Sequence, residues 1–325
     1  MLGAIIGDII GSRWEFNSTN DYGFELLSEK NCFTDDTICT VAVADALLSG
    51  SNDYGKYIHD WCRRYPHPMG GYGGRFAQWV MSECPKPYGS YGNGAAMRVS
   101  PVAYWYETKE QVLEAAAATA MPSHNHEEGI KGAQTVALAI YRAMEFNRYI
   151  YQNAPRHIDE IINECIEFSG YNINMPKSSV LNKFDETCQG TVPVALKIIS
   201  MATCFEDAVR MAVSLGGDAD TLGAITGSIA EAIWGIPMTL REKIKSFLPG
   251  EMKGVIAEFH YERPRVYKTL IDTTFSGDDF GDVSWDMYYD LEGAEAYDRA
   301  INNAKRDKKQ YRSLMAERAT ARNQW

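Results

Sequence analysis

Two short acidic clusters hold the residues best suited to chemistry in this chain. The first is Phe33-Thr34-Asp35-Asp36-Thr37 and the second Gly216-Gly217-Asp218-Ala219-Asp220-Thr221. Each stands at the start of a stretch whose apolar residues recur at helical spacing, 37–49 and 220–234. Carboxylates at helix N-termini are stabilised by unpaired N–H groups and the helix dipole, by roughly 0.3–1 kcal/mol each. Capping needs one carboxylate per helix, whereas each cluster supplies two and a neighbouring hydroxyl. If the clusters converge, four carboxylates stay ionised together only beside cations. Two divalent ions balance that charge. Donors that are all oxygen select hard ions such as Mg²⁺, Mn²⁺ or Ca²⁺ over zinc. A pair of such ions about 3.5–4 Å apart can hold a substrate and a water together.

Glycine-rich segments supply the parts of a second half-site. Gly70-Gly71-Tyr72-Gly73-Gly74 precedes a predicted helix over 75–82, and Gly89-Ser90-Tyr91-Gly92-Asn93-Gly94 precedes Ala95-Ala96-Met97-Arg98. Loop-to-helix transitions of this kind can cradle a phosphate with backbone N–H groups. Neither matches G-x-G-x-x-G, because Phe76 and Met97 occupy the third glycine position, and taken alone each is more often a turn. Asp8 interrupts the apolar run MLGAIIGDII and is expected to be buried and hydrogen-bonded to a loop. Asp279-Phe280-Gly281 resembles the kinase D-F-G, but without an H-R-D loop or lysine-bearing strand it reads as coincidence.

The elements that must position these groups are helical. Helices are predicted over 37–49 (ended by Gly50), from a Thr108/Gln111 capping box through Met121, and over 129–147, 156–168, 190–202, 206–215 and 220–234. Period-two strands with hairpin turns are scarce, and no repeat of 20–50 residues is present. The fold class expected is all-α: a multi-helix globule rather than a parallel α/β sheet.

At 325 residues with 45% apolar composition the chain can bury a large core. Its 32 basic and 43 acidic residues give a net charge of −11, which repels phosphate backbones and argues against nucleic-acid binding. Seven scattered cysteines with no C-x-x-C pair are neither a disulfide framework nor a thiolate zinc site and suggest a reducing compartment. No segment reaches the roughly 18 apolar residues of a membrane helix, so the reading is cytoplasmic and soluble. Composition shifts near residue 262. Beyond it, 272–290 reads as an Asp-, Gly- and aromatic-rich loop. The segment 293–322 reads as a polar helix with a basic cluster (Lys305, Arg306, Lys308, Lys309, Arg312), packed on the core. Two segments are therefore expected, a catalytic domain over 1–262 and a C-terminal loop and helix over 263–325.

Five motifs in order resemble the ADP-ribosylglycohydrolase family, which includes dinitrogenase reductase-activating glycohydrolases and ADP-ribosyl-serine hydrolases. They are Gly7-Asp8-x-x-Gly11-Ser12-x-x-Glu15, Thr34-Asp35-Asp36-Thr37, Ser90-x-Gly92-Asn93-Gly94-x-x-Met97-Arg98, Ser123-His124 and Gly217-Asp218-x-Asp220-Thr221, spread over roughly residues 1–260. The resemblance implies an all-α orthogonal bundle with a binuclear Mg²⁺ or Mn²⁺ centre. By position, Thr34, Asp35, Asp36, Asp218, Asp220 and Thr221 match the family's metal ligands. Glu15 matches a glutamate beside the reacting centre, and Glu15 and Asp36 are the expected catalytic carboxylates. Gly71, Tyr72, Gly73, Ser90, Tyr91, Gly92, Asn93, Gly94, Met97 and His124 resemble the parts that hold ADP-ribose. His126 is expected to be solvated rather than paired with His124 on a metal.

The implied reaction is hydrolysis of a glycosidic bond to ADP-ribose on a modified protein or small conjugate. Ser90 stands where arginine-directed bacterial members are expected to carry Asp, which weakens an expectation of arginine specificity. Two alternatives compete. An ADP-ribose reader without turnover is favoured by a lost metal ligand, and none is missing. An aspartyl phosphotransferase, suggested by Asp218-x-Asp220, requires a preceding strand and Thr or Val where Leu222 stands.

Overall fold

The computed structural model describes residues 1–149 and 158–262, and among them every regular element is helical. The α-helices are α1 (Leu2–Gly11), α2 (Asp35–Leu48), α3 (Tyr54–Arg64), α4 (Gly74–Met81), α5 (Gly94–Met97), α6 (Ser100–Trp105) and α7 (Lys109–Ala120). After them come α8 (Glu127–Tyr149), α9 (Ile158–Ser169), α10 (Cys188–Met201), α11 (Phe205–Val213), α12 (Ala219–Trp234), α13 (Met238–Ile244) and α14 (Gly250–Glu262). Among the described residues, backbone pairing of the β type is limited to one antiparallel bridge, Gly92 with Thr187. The protein is all-α, as its periodicity implies. The loop expected over 272–290, the basic helix expected over 293–322 and the Asp279-Phe280-Gly281 triplet lie outside the described residues.

Local signals hold where they were strong. Thr108 and Gln111 form a reciprocal capping box at the start of α7, and α2 ends at Ser49 with Gly50 at φ +63°. The principal element that periodicity did not mark is α1. It is apolar nearly all round, so no amphipathic stripe announces it, and it lies inside the molecule with Gly3 through Gly11 buried.

Helix α1 packs on α12, every residue of which is buried. Glycines let the two backbones meet. A Cβ on Gly7 would lie 2.0 Å from the carbonyl oxygen of Gly223, and one on Gly223 would lie 2.6 Å from that of Gly7. The Glu231 carboxylate of α12 accepts the N–H of Gly3 at 2.8 Å, satisfying a donor at the open end of α1. This contact holds Asp8 and the segment that follows α1 against the N-terminal half of α12. Gly223→Ala is therefore expected to destabilise the fold by about 1–3 kcal/mol through overpacking against backbone. Urea denaturation checks this, and an unchanged midpoint would show that the helices can separate at no cost.

Candidate active site

Three helix ends bring the acidic clusters together. Thr34 is the N-cap of α2, its hydroxyl accepting the N–H of Asp36 at 3.3 Å, and this sets Asp35 and Asp36 in the first turn. Asp8, fully buried on α1, accepts hydrogen bonds from the N–H of Thr34 (3.1 Å), the hydroxyl of Thr34 (2.9 Å), and both the N–H (3.0 Å) and hydroxyl of Thr37. It is the buried, loop-bonded group that its setting in the sequence implied, and it fixes the start of α2. On the other side, Gly216 (φ +70°) and Gly217 (φ +73°) turn the chain from α11 into α12. The Lys183 carbonyl oxygen lies 2.0 Å from where a Cβ on Gly217 would be, so a side chain is excluded there twice over. A 3-10 turn at Ser12–Trp14 continues α1 and delivers Glu15.

The clusters converge. The Thr221 hydroxyl donates to Asp36 Oδ2 at 3.1 Å, and carboxylate oxygens of Glu15, Asp218 and Asp220 lie within 4.8 Å of one another. Asn93 donates from Nδ2 to Asp218 Oδ2 (2.6 Å) and to Thr191 Oγ1 (3.0 Å), which joins the 89–94 loop to the acidic cluster. Burial pushes the Asp35, Asp36 and Asp220 carboxyls well above the ordinary carboxylate range, and neighbouring negative charges add to it. Burial likewise raises Glu15 to about 7, helped by the charges of Asp218, Asp8 and Glu186, and raises Asp8 to about 6.

Among the described residues three buried carboxylate oxygens have no hydrogen-bond partner: Glu15 Oε2, Asp36 Oδ1 and Asp220 Oδ1. Unpartnered buried oxygens on crowded carboxylates are costly without a counter-charge. The donor set is all oxygen, and a hard divalent cation fits it.

A cleft of 420 Å³ opens over this cluster, a volume within the range of small-molecule sites, roughly 300–1,000 Å³. Of the residues expected to bind ligand, Gly71, Tyr72, Gly73, Ser90, Gly92, Asn93, Gly94, Met97 and His124 all border it, with Glu15, Asp35, Asp218, Asp220 and Thr221. At Gly71 and Gly73 a Cβ would meet no protein atom within 4 Å, so these backbones are left open to a ligand. Tyr91 is placed differently. Its ring is 45% exposed, stands edge-on to His126 at 5.2 Å, and does not line the cleft. Thr34 and Asp36 lie beneath the surface, both buried, and reach the site through the hydrogen bonds just described.

Sequence reasoning missed several lining groups. Arg98 is fully buried, with Nη2 donating to the Thr119 carbonyl and the Ser123 hydroxyl (both 2.9 Å), and its guanidinium lies 5.9 Å from the Phe76 ring. It stands inside a quoted motif, yet nothing in the sequence distinguishes a buried cation from a solvated one. Phe184 and Glu186 come from a segment with no motif, carried to the site by the bridge at Gly92 and by Asn93 N–H donating to the Glu186 carbonyl (2.7 Å). Phe184 stacks on Phe16 at 5.6 Å on the cleft border, with both rings exposed. Behind this segment, Lys183, Asp185 and Asp218 border a second cavity of 380 Å³.

Fold and cleft together define a helical scaffold built around buried carboxylates. The family profile of ADP-ribosylglycohydrolase matches residues 1–268, and the chain belongs to that family and to its class of enzyme. It is 24% identical over 306 residues to the ADP-ribosylhydrolase ARH3 of Bos taurus, covering 73% of this chain and 84% of that protein. It is 26% identical over 285 residues to the ADP-ribosylarginine hydrolase Tri1 of Pseudomonas putida, covering 73% and 70%. To the ADP-ribosyl-[dinitrogen reductase] glycohydrolase of Rhodospirillum rubrum it is 25% identical over 266 residues, covering 72% and 84%. Among solved structures, an ADP-ribosylglycohydrolase-related protein complex superposes with a TM-score of 0.60 at 22% identity, covering 81% of this chain and 96% of that one. That likeness establishes the fold. Among the described residues no helix is long and apolar enough to cross a membrane. The segment before Asp218 is helix α11 and a glycine turn, so the strand that an aspartyl phosphotransferase requires there is not present.

Proposed function

We propose that this chain hydrolyses the glycosidic bond joining the distal ribose of ADP-ribose to a side chain of a modified protein or to a small conjugate. Two Mg²⁺ or Mn²⁺ ions would be held by Thr34, Asp35, Asp36, Asp218, Asp220 and Thr221, with Glu15 beside them. The observation that carries this reading is the cleft's divided chemistry. Crowded carboxylates with unpartnered oxygens sit at one group of residues. Arg98, buried and donating to neutral oxygens, forms the other with glycine backbone and His124. The first group suits cations that grip ribose hydroxyls, and the second suits a diphosphate. When bound, the cations would neutralise the carboxylates, orient the sugar and lower the pKa of water.

The chain's own residues would do the rest. Glu15, beside the proposed cations and bordering the cleft, would take up and release the proton as a general acid–base group. The carboxylates would favour the positive charge that develops on the sugar in an oxocarbenium-like transition state. Asn93 fixes Asp218 in place through its 2.6 Å hydrogen bond. No disulfide joins the seven cysteines, which fits a reducing, cytoplasmic setting, and the net charge of −11 gives no attraction for nucleic acid.

The test is direct: incubate the purified protein with Ser-linked, Arg-linked and O-acetyl-linked ADP-ribose with Mg²⁺ and follow released ADP-ribose. Release from none of them would refute the proposal. Ser90 sets the expected order. Its hydroxyl accepts the Gly92 N–H at 3.1 Å and borders the cleft as a neutral group, whereas a carboxylate there would attract a guanidinium leaving group. O-linked substrates should therefore be cleaved more efficiently than Arg-linked ones, and Ser90→Asp should shift preference toward the latter. Equal or better cleavage of Arg-linked ADP-ribose by the wild type would show that this position does not set specificity.

A further inference from the structure

Arg98, Ser123 and His124 form a hydrogen-bonded chain whose direction follows from the partners that the buried Ser123 hydroxyl has. Arg98 Nη2 lies 2.9 Å from Ser123 Oγ, and Ser123 Oγ lies 2.7 Å from His124 Nδ1. A guanidinium only donates, so the serine oxygen must accept from it. Ser123 is fully buried and its hydroxyl has no other acceptor among the described residues, so its single proton is satisfied only by pointing at His124 Nδ1, which then accepts. A neutral imidazole that accepts at Nδ1 carries its proton at Nε2.

Nε2 is the atom that faces the glycine loop: it lies 3.0 Å from where a Cβ on Gly94 would be and 3.3 Å from that on Gly92. His124 lines the cleft while its ring is buried, and Ser123 and Arg98 are both fully buried, so solvent does not compete for these bonds. Arg98 donates to a carbonyl and a hydroxyl, both neutral, and it also borders the cleft. Burial, then the nearby Arg98 charge, push the His124 imidazole well below its ordinary range, which keeps it neutral around physiological pH.

We propose that Arg98 is a positioning residue which, through Ser123, locks His124 as the Nε2-protonated tautomer, so that His124 donates a hydrogen bond to an anionic oxygen of the ligand at the Gly92–Gly94 loop. The inference rests on the reading of the cleft as an ADP-ribose site and specifies how that site recognises the diphosphate. Glycine at 92 and 94 keeps this space open, because a Cβ there would crowd Nε2 at 3.3 and 3.0 Å.

The experiment is ¹⁵N NMR of the histidine rings in the full chain near neutral pH, with calorimetric titration of ADP-ribose and steady-state kinetics. His124 signals are assigned by comparison with Ser123→Ala. The wild type should show Nε2 protonated and Nδ1 bare. Ser123→Ala should give a mixed tautomer population, weaken ADP-ribose binding about tenfold, the share of one hydrogen bond to a charged oxygen, and raise KM more than it lowers kcat. Ser123→Thr, which keeps the hydroxyl, should retain the wild-type tautomer. A wild-type ring protonated at Nδ1, or at both nitrogens, overturns the proposal. So does a Ser123→Ala protein whose tautomer and affinity are unchanged. If the tautomer is as expected but wild-type protein binds no ADP-ribose, the ligand assignment and the proposed function fail while the arginine–serine–histidine chain stands.

Discussion

Stripping divalent cations from the purified protein is expected to lower ADP-ribose release by a factor of about a hundred or more, with recovery on adding Mg²⁺ or Mn²⁺. The cause is the crowding of Glu15, Asp35, Asp36, Asp218 and Asp220, three of whose buried oxygens have no partner among the described residues. The same crowding makes a second measurement informative. In metal-free protein these carboxyls hold protons at pH values where the unfolded chain has lost them. Asp8 is raised to about 6, Glu15 to about 7, and Asp35, Asp36 and Asp220 well above the ordinary value. The folded state thus binds more protons than the unfolded state from about pH 4 upward through the raised values, and stability falls as pH rises through that window. Metal-free protein should melt lower at about pH 7.5 than at about pH 5.5, and Mg²⁺ should raise Tm more at the higher pH, where it competes with fewer protons. Undiminished turnover after chelation, confirmed by metal analysis, would remove the cation from the reaction. A metal-free Tm that climbs with pH would show that the carboxylates are not crowded in solution.

Glu15→Gln should lower kcat by about a hundredfold, within the range for loss of a general acid–base group, while ADP-ribose affinity changes by less than about threefold. Gln keeps the size of the side chain and removes its charge and its proton. The geometry makes this a test between two roles, because Glu15 shares a 4.8 Å cluster with Asp218 and Asp220 and also carries the carboxyl raised to about 7. Gly70 holds it close: a Cβ there would lie 2.4 Å from Glu15 Oε2. Calorimetry of Mg²⁺ binding to the variant separates the two. Turnover lost with Mg²⁺ affinity retained identifies a proton-transfer role. Loss of both in proportion identifies a metal ligand, and unchanged turnover rules out either.

How much of this was legible beforehand depends on how far each signal reaches along the chain. Caps, glycine stops and 3.6-residue periodicity are local, and they placed α2, α7, α10, α11 and α12 to within a few residues. The acidic clusters were legible for the same reason, since two carboxylates and a hydroxyl at a helix start exceed what capping uses. Asp8 was readable as buried because a lone carboxylate inside an apolar run must be paired. Helix α1 was not, because a helix buried on all sides has no polar face to set a period.

The site itself was decided by tertiary structure. Only the glycine-to-glycine packing of α1 on α12 puts Glu15 beside Asp220, more than 200 residues away in the chain. Only the bridge at Gly92 brings Phe184 and Glu186 to the cleft and turns the Tyr91 ring toward His126 instead. The sequence alone determined which donors this protein owns and which helix starts bear them. Their distances, their missing partners and the direction of the Arg98–Ser123–His124 chain depend on backbones that meet across long loops, and local chemistry carries no record of those meetings.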